Sequence, residues 1–354
     1  MPLTEYNRFF YNNIRLVSLT AIAPTISFLS VFDATRNDVN DCIHALYASF
    51  SLGYVLTFLL EILMTTLVRL AVFVFLQRDI FSLTPAVPVV VLPWVLRENR
   101  YRLKPTTIIA ADIGTTCIVS PIVEEWMKLK MLQWTTHLPK NFNWVKKASN
   151  KNNKKRKRPE EILRGPGEEP VTTANKYVTQ MLAVSIGLKL ADAGRRVLMY
   201  TKPHHADQSF YAICRGIYPI HELCGTMTAI ALAKREILGV DMPVWKILAP
   251  AVVIHGMANF RGMKPIFKWN SNTPWSEMQL SPWSAADPST PQQLLSKGFA
   301  KLMWLIILFR VLGYCVKNYY MTNRQAVKRT TTYAGKHSAF SADLVASEML
   351  KKDK

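Results

Sequence analysis

The sequence predicts an all-α, polytopic bundle of about eight membrane-spanning helices, and three observations carry that prediction. Apolar residues make up 49% of the 354 residues, yet they are gathered into blocks of helix length. The connectors between the blocks are strongly basic, as the cytosolic loops of membrane proteins are. Only 14 glycines are present, too few for the frequent tight turns of a soluble α/β enzyme.

The blocks fall at residues 15–31, 46–74, 82–97, 106–134, 176–200, 209–235, 244–262 and 299–317. A helix rising 1.5 Å per residue needs about 20 residues to cross a ~30 Å hydrocarbon core, a length most of the blocks reach. The third is short and holds Pro85, Pro88 and Pro93, so it suits a re-entrant or interfacial segment as well as a span. The chain thus divides into N-terminal spans at 1–80, a helical core at 81–262 interrupted by a basic loop at 138–175, a loop at 263–298, a last span at 299–317 and a basic tail at 318–354.

The interrupting loop contains Lys154-Lys155-Arg156-Lys157-Arg158 and ends in a Gly- and Pro-rich stretch, which predicts a loosely ordered segment. Four spans precede it and four follow, so the loop and the tail lie on one side, which the charge rule makes cytosolic. The loop at 263–298, with Trp269, Trp275 and Trp283, lies on the other side. Arg97, Arg100, Arg102 and Lys104 then fall on the non-cytosolic side. Either the third span does not cross or the rule is broken locally.

Because the net charge of +20 resides in connectors and tail, the expected partner is the lipid bilayer and not a nucleic acid. Cys42, Cys117, Cys214, Cys224 and Cys315 are scattered, which excludes a disulfide framework or a zinc ribbon. The polar start, with no small-residue cleavage site after it, makes the first span its own insertion signal. Lys351 and Lys352 stand fourth and third from the end, resembling a dilysine signal for the endoplasmic reticulum, so the expected location is that membrane, as an integral multi-pass protein.

Charged groups inside apolar segments single out the chemistry. A charge near the centre of a spanning helix costs roughly 2.5–3.5 kcal/mol, so an intramembrane carboxylate is a functional-site hypothesis from the outset. Pro121 is followed by Glu124, Glu125 and Lys128; Glu124 and Lys128 are four apart and share a helix face, acid before base. With Lys128 holding one carboxylate ionised, the other is left to exchange protons as a general acid or base. Pro219 precedes His221, and Pro250 precedes His255, with Asn259 one turn further on the same face. A neutral imidazole suits a metal ligand, an oxyanion donor or a bond between helices, and the Asn259 amide suits orienting an imidazole or donating to an oxyanion. Each proline frees a backbone carbonyl, which is tolerated at membrane depth where a helix lines a polar cavity.

In this order the motifs resemble those of the PrsW family of intramembrane proteases, which is related to CAAX-processing and bacteriocin-processing membrane proteases. The matching residues are Glu-Glu-x-x-Lys at Glu124, Glu125 and Lys128, an arginine with a histidine six residues later at Arg215 and His221, and His-x-x-x-Asn at His255 and Asn259. The resemblance runs over about residues 83–262. It departs from the family where a Phe-Ala-x-x-Glu-Asn pattern is expected: the stretch from Gly187 to Tyr200 lacks the glutamate, leaving Asp192 one turn away or Arg196 with reversed charge.

The resemblance implies an intramembrane endopeptidase that hydrolyses peptide bonds of a membrane-associated protein substrate. Glu124, Glu125, His221 and His255 are its expected catalytic residues, supported by Lys128, Arg215, Asn259 and Asp192. Two mechanisms are open. Either a glutamate activates water while His221, His255 and Asn259 stabilise the oxyanion, or His221, His255 and Glu125 hold a divalent metal such as zinc. The alternatives are an inactive pseudoprotease that binds clients and a proton-coupled transporter.

Overall fold

The computed structural model describes residues 3–32, 39–76, 105–136, 172–200, 216–262 and 302–326. Among the described residues every element is helical and no strand occurs. The expected span at 82–97, residues 138–171 of the expected basic loop, Arg215, the loop at 263–298 and the tail beyond residue 326 lie outside them, while residues 172–175, expected in that loop, are helical.

Among the described residues seven main helices follow in chain order. They are α1 (Leu3–Val31), α2 (Val39–Leu76), α3 (residues 105–135), α4 (Thr172–Tyr200), α5 (Ile220–Leu238), α6 (Val244–Gly262) and α7 (Leu302–Ala326). Two of them change pitch on the way: α2 passes through a π-helical stretch at Ser49–Gly53 and α3 through one at Ile113–Val119. A π turn inserts residues into the ladder and rotates everything after it, and such turns gather at functional sites. In α3 the rotation falls immediately before Ser120 and Pro121.

Among the described residues, three helices are long and apolar enough to cross a membrane: Tyr11–Val31, Val39–Leu76 and Leu302–Ala326. Many of their large side chains point outward, with Phe75 81% and Phe309 69% exposed. α6 is apolar but shorter, with its apolar stretch at Val244–Phe260. α3, α4 and α5 are less apolar because each carries several charged groups, so among the described residues length and composition single out three helices as suited to cross a membrane, of the eight spans expected.

α4 is the central helix. Tyr177, Val178, Met181, Leu182, Val184 and Ser185 are each no more than 1% exposed, so the helix is hidden on all sides. It packs against α1, α2, α3 and α5. Close approach to α2 depends on Gly187, where a Cβ would run into the Leu46 carbonyl oxygen.

Of the expected sixth span, residues 209–215 lie outside the described residues and α5 begins at Ile220. Pro219 takes a non-helical conformation and its carbonyl accepts the Leu223 N–H at 2.9 Å, opening α5. α5 stops at Gly239, whose φ of 61° is the left-handed conformation glycine adopts without strain. Five residues later α6 begins, and the two helices pack as a hairpin. The last helix runs to Ala326, beyond the expected end at 317, and Tyr319 on that extension donates to the Phe32 carbonyl at 3.0 Å.

Candidate functional site

The site forms where α3, α5 and α6 meet against α4. On α3 the inward face presents Glu125, Lys128 and Leu132, all fully buried. Glu124 lies one residue round the helix and keeps 12% of its side chain accessible. His221 enters from the first turn of α5 and His255 from α6.

Two layers of contact join them. In the buried layer one oxygen of Glu125, Oε1, accepts from Lys128 Nζ at 2.6 Å and lies 2.8 Å from His255 Nδ1. Lys128 also reaches the His221 carbonyl at 3.4 Å. An ionised carboxylate only accepts, so the proton of the shared contact sits on His255 Nδ1 and turns Nε2 toward Glu124. In the accessible layer Glu124 Oε2 lies 3.6 Å from His221 Nδ1 and 3.6 Å from His255 Nε2. The two imidazole rings stand edge to face, 5.1 Å between centroids.

The pairing on α3 differs from the expected one. Lys128 binds Glu125, three residues before it, and not Glu124, four before it. Both spacings bring side chains together on a helix; burial decides between them, because Glu125 and Lys128 are both wholly removed from solvent and an unpaired ammonium there would be costly.

Asn259 donates its amide to the Thr116 carbonyl at 2.9 Å, inside the π stretch of α3, so its amide supports the backbone that carries the glutamates. Asp192 receives Arg195 at 2.8 Å on its own helix. The stretch that departs from the family pattern supplies a different charge to the interior: Lys189 Nζ meets Glu222 Oε1 at 2.6 Å and the Gly216 carbonyl at 2.7 Å. That pair ties α4 to the residue beside His221.

Gly256 sets the spacing between α6 and α3. A Cβ there would overlap the Cys117 carbonyl oxygen, four residues before Pro121. Proline has no N–H to give that carbonyl, and the bare glycine lets α6 settle against it with His255 next in sequence.

Three groups near the site carried no sequence signal that the motif reading used. Glu61 of α2 contacts the Ser120 hydroxyl, and Ser120 Oγ lies 3.2 Å from Glu124 Oε1. Cys224 forms a second close trio with Glu125 and His255, its thiol directed to the Ala251 carbonyl at 3.4 Å. Lys189 and Glu222 are the third group. Glu61 and Lys189 were visible as solitary charges in apolar runs; Cys224 reads in sequence as one more small apolar residue.

The donor set of Glu124, His221 and His255 offers one ligand atom each within 4.8 Å of one another. The two 3.6 Å separations from Glu124 Oε2 are a little wider than the edge of a tetrahedron around an ion with ~2 Å bonds, so a small inward movement of the side chains would seat one. Glu125 on His255 Nδ1 is the outer carboxylate that commonly orients a ligating histidine. The carboxylate so placed is Glu124, whereas the sequence reading put Glu125 in that role. No family model, curated protein or solved structure matches this chain.

Proposed function

We propose that the protein is an integral, multi-pass membrane peptidase of the kind the PrsW resemblance implies, which hydrolyses a peptide bond of a membrane-associated protein. The observation that carries this is the meeting of Glu124, His221 and His255 around one point, backed by Glu125 and Lys128, in a chain whose outer helices suit lipid.

The residues divide the work by burial. Glu124 keeps some access to solvent and has an imidazole on either side, so it is the group that takes a proton from an attacking water. Glu125 is sealed in, its Oε1 occupied twice, and it fixes the tautomer and tilt of His255. The His221 ring faces the place where negative charge develops on the scissile carbonyl, and as a ring N–H donor it stabilises that charge; His255 Nε2 joins it as a donor when the ring carries a second proton. Lys128 balances Glu125, leaving the net charge of the inner layer near neutral. The same three groups, Glu124, His221 and His255, fit a divalent ion, which when bound would polarise the carbonyl and acidify water.

The test uses purified full-length protein in vesicles with a pool of diverse membrane-spanning peptides, fragments being read by mass spectrometry. Wild type is expected to produce fragments, and Glu124→Gln and His255→Gln to lose them by about 10²-fold or more. Unchanged cleavage in both variants rules out the assignment of these residues, whereas no fragments from wild type leaves client binding without hydrolysis as the function. A parallel run in chelator separates the two chemistries, since persistence of full activity in a metal-stripped sample excludes the ion.

A further inference from the structure

Glu61 stands alone. Between Cys42 and Val68 α2 contains no other acidic or basic residue than His44, in the middle of a helix that otherwise suits lipid. Its neighbours Leu59, Ile62 and Leu63 are exposed on the outer side, whereas Glu61 turns inward to Ser120. An isolated carboxylate in such a helix has a partner that explains it, and here the partner is a hydroxyl already in reach of Glu124.

Ser120 is 6% exposed and sits at the seam where the π stretch of α3 gives way to α-helix. Its Oγ contacts Glu61 Oε1 on one side and lies 3.2 Å from Glu124 Oε1 on the other. The oxygen of Glu124 that Ser120 meets is Oε1, while Oε2 faces both histidines. The Ser120 hydroxyl has a single proton, so it bonds to both acids at once only when one of them is protonated: protonated Glu61 donates to Ser120 Oγ, the Ser120 O–H donates to Glu124 Oε1, and the Glu124 carboxylate is held by its back oxygen and presented by its front one. Arg69 of α2 lies 3.8 Å from Asp112 of α3, a second polar tie along the same seam.

We propose that Glu61 is a positioning residue of the Glu124 site, acting through the Ser120 hydroxyl, so that α2, which lies outside the stretch of family resemblance, supplies part of the site's machinery. This rests on the peptidase reading for its kinetic consequence but not for the coupling itself. Orientation of a reacting group is worth large factors in rate, because a shift of about 1 Å costs roughly 10²-fold. Removing the support should thus slow turnover while leaving substrate affinity alone.

The experiment compares Glu61→Leu, Glu61→Gln, Ser120→Ala and the double variant Glu61→Leu with Ser120→Ala in the full chain, using the best-cleaved peptide of the pool and thermal unfolding of the same preparations. Glu61→Leu is expected to lower kcat about 10-fold or more with KM within twofold, Glu61→Gln, which keeps a donor for Ser120 Oγ, to recover part of the loss, and the double variant to be no slower than Ser120→Ala alone. An unchanged kcat in Glu61→Leu, while Glu124→Gln abolishes cleavage, overturns the role of Glu61 and leaves the peptidase reading intact. If Glu124→Gln cleaves like wild type, the assignment of Glu124 as the reacting group fails instead, and the thermal shifts decide for Glu61: non-additive shifts support its tie to Ser120, and additive shifts overturn it.

Discussion

α2 and α4 show how differently two neighbouring helices of this protein treat solvent and charge. α2 runs 38 residues with Leu52, Leu59, Leu63, Leu67 and Phe75 turned outward, and it commits its one mid-helix acid, Glu61, to the interior. α4 is buried all round and yet carries Lys189, Gln180, Ser185 and Asp192 with little or no exposure. Apolar surface outside and polar groups inside is the reverse of a water-soluble core. The comparison teaches that the inner helices are shaped by the charges they must pair, and the outer ones by the medium they face.

If that contrast is right, single changes to inner pairs should cost far more than changes to outer surface. Lys189→Met leaves Glu222 charged and sealed, and should destabilise the protein by about 3–5 kcal/mol, read as a drop in Tm. Lys189→Met combined with Glu222→Leu should recover much of the loss, since removing both charges also removes the desolvation penalty. A double variant no better than the single would break the idea that pairing, not packing, governs the interior.

A smaller effect is expected at the α6–α3 contact. Gly256→Ala puts a methyl against the Cys117 carbonyl and should cost about 1–3 kcal/mol, with a loss of activity as His255 moves away from Glu125. Wild-type stability in this variant would show that the approach of α6 is looser than described. The smallest effect belongs to the outer face: Phe309→Ala, at a side chain 69% exposed, should change stability by about 0.5 kcal/mol or less. A larger loss would mean that this face of α7 is covered by something other than lipid or detergent.

The helical class was legible in the sequence, because blocks of apolar residues separated by basic connectors admit few other solutions. The glutamate pair and the two histidines were legible too, each being a polar anomaly in an apolar run. What sequence could not supply was the choice of partner. Lys128 is close to both Glu124 and Glu125 on a helix, and only burial shows that it serves Glu125. Asn259 shares a face with His255, but its amide was drawn to a carbonyl of the π stretch in α3, which no periodicity reveals. Asp192 looked like a substitute for the absent family glutamate until Arg195 on the next turn was seen to hold it. Glu61 comes from a helix outside the resemblance, and no spacing rule connects it to residues 59 or more positions away.

The most direct measurement is cleavage of the membrane-spanning peptide pool in water enriched in heavy oxygen, by wild type and by Glu124→Gln side by side. Hydrolysis at Glu124 requires that the attacking oxygen come from water. Wild type should release fragments whose new C-terminal carboxyl carries one heavy oxygen, and Glu124→Gln should release almost none. No fragments from wild type, or equally labelled fragments from Glu124→Gln, would contradict it.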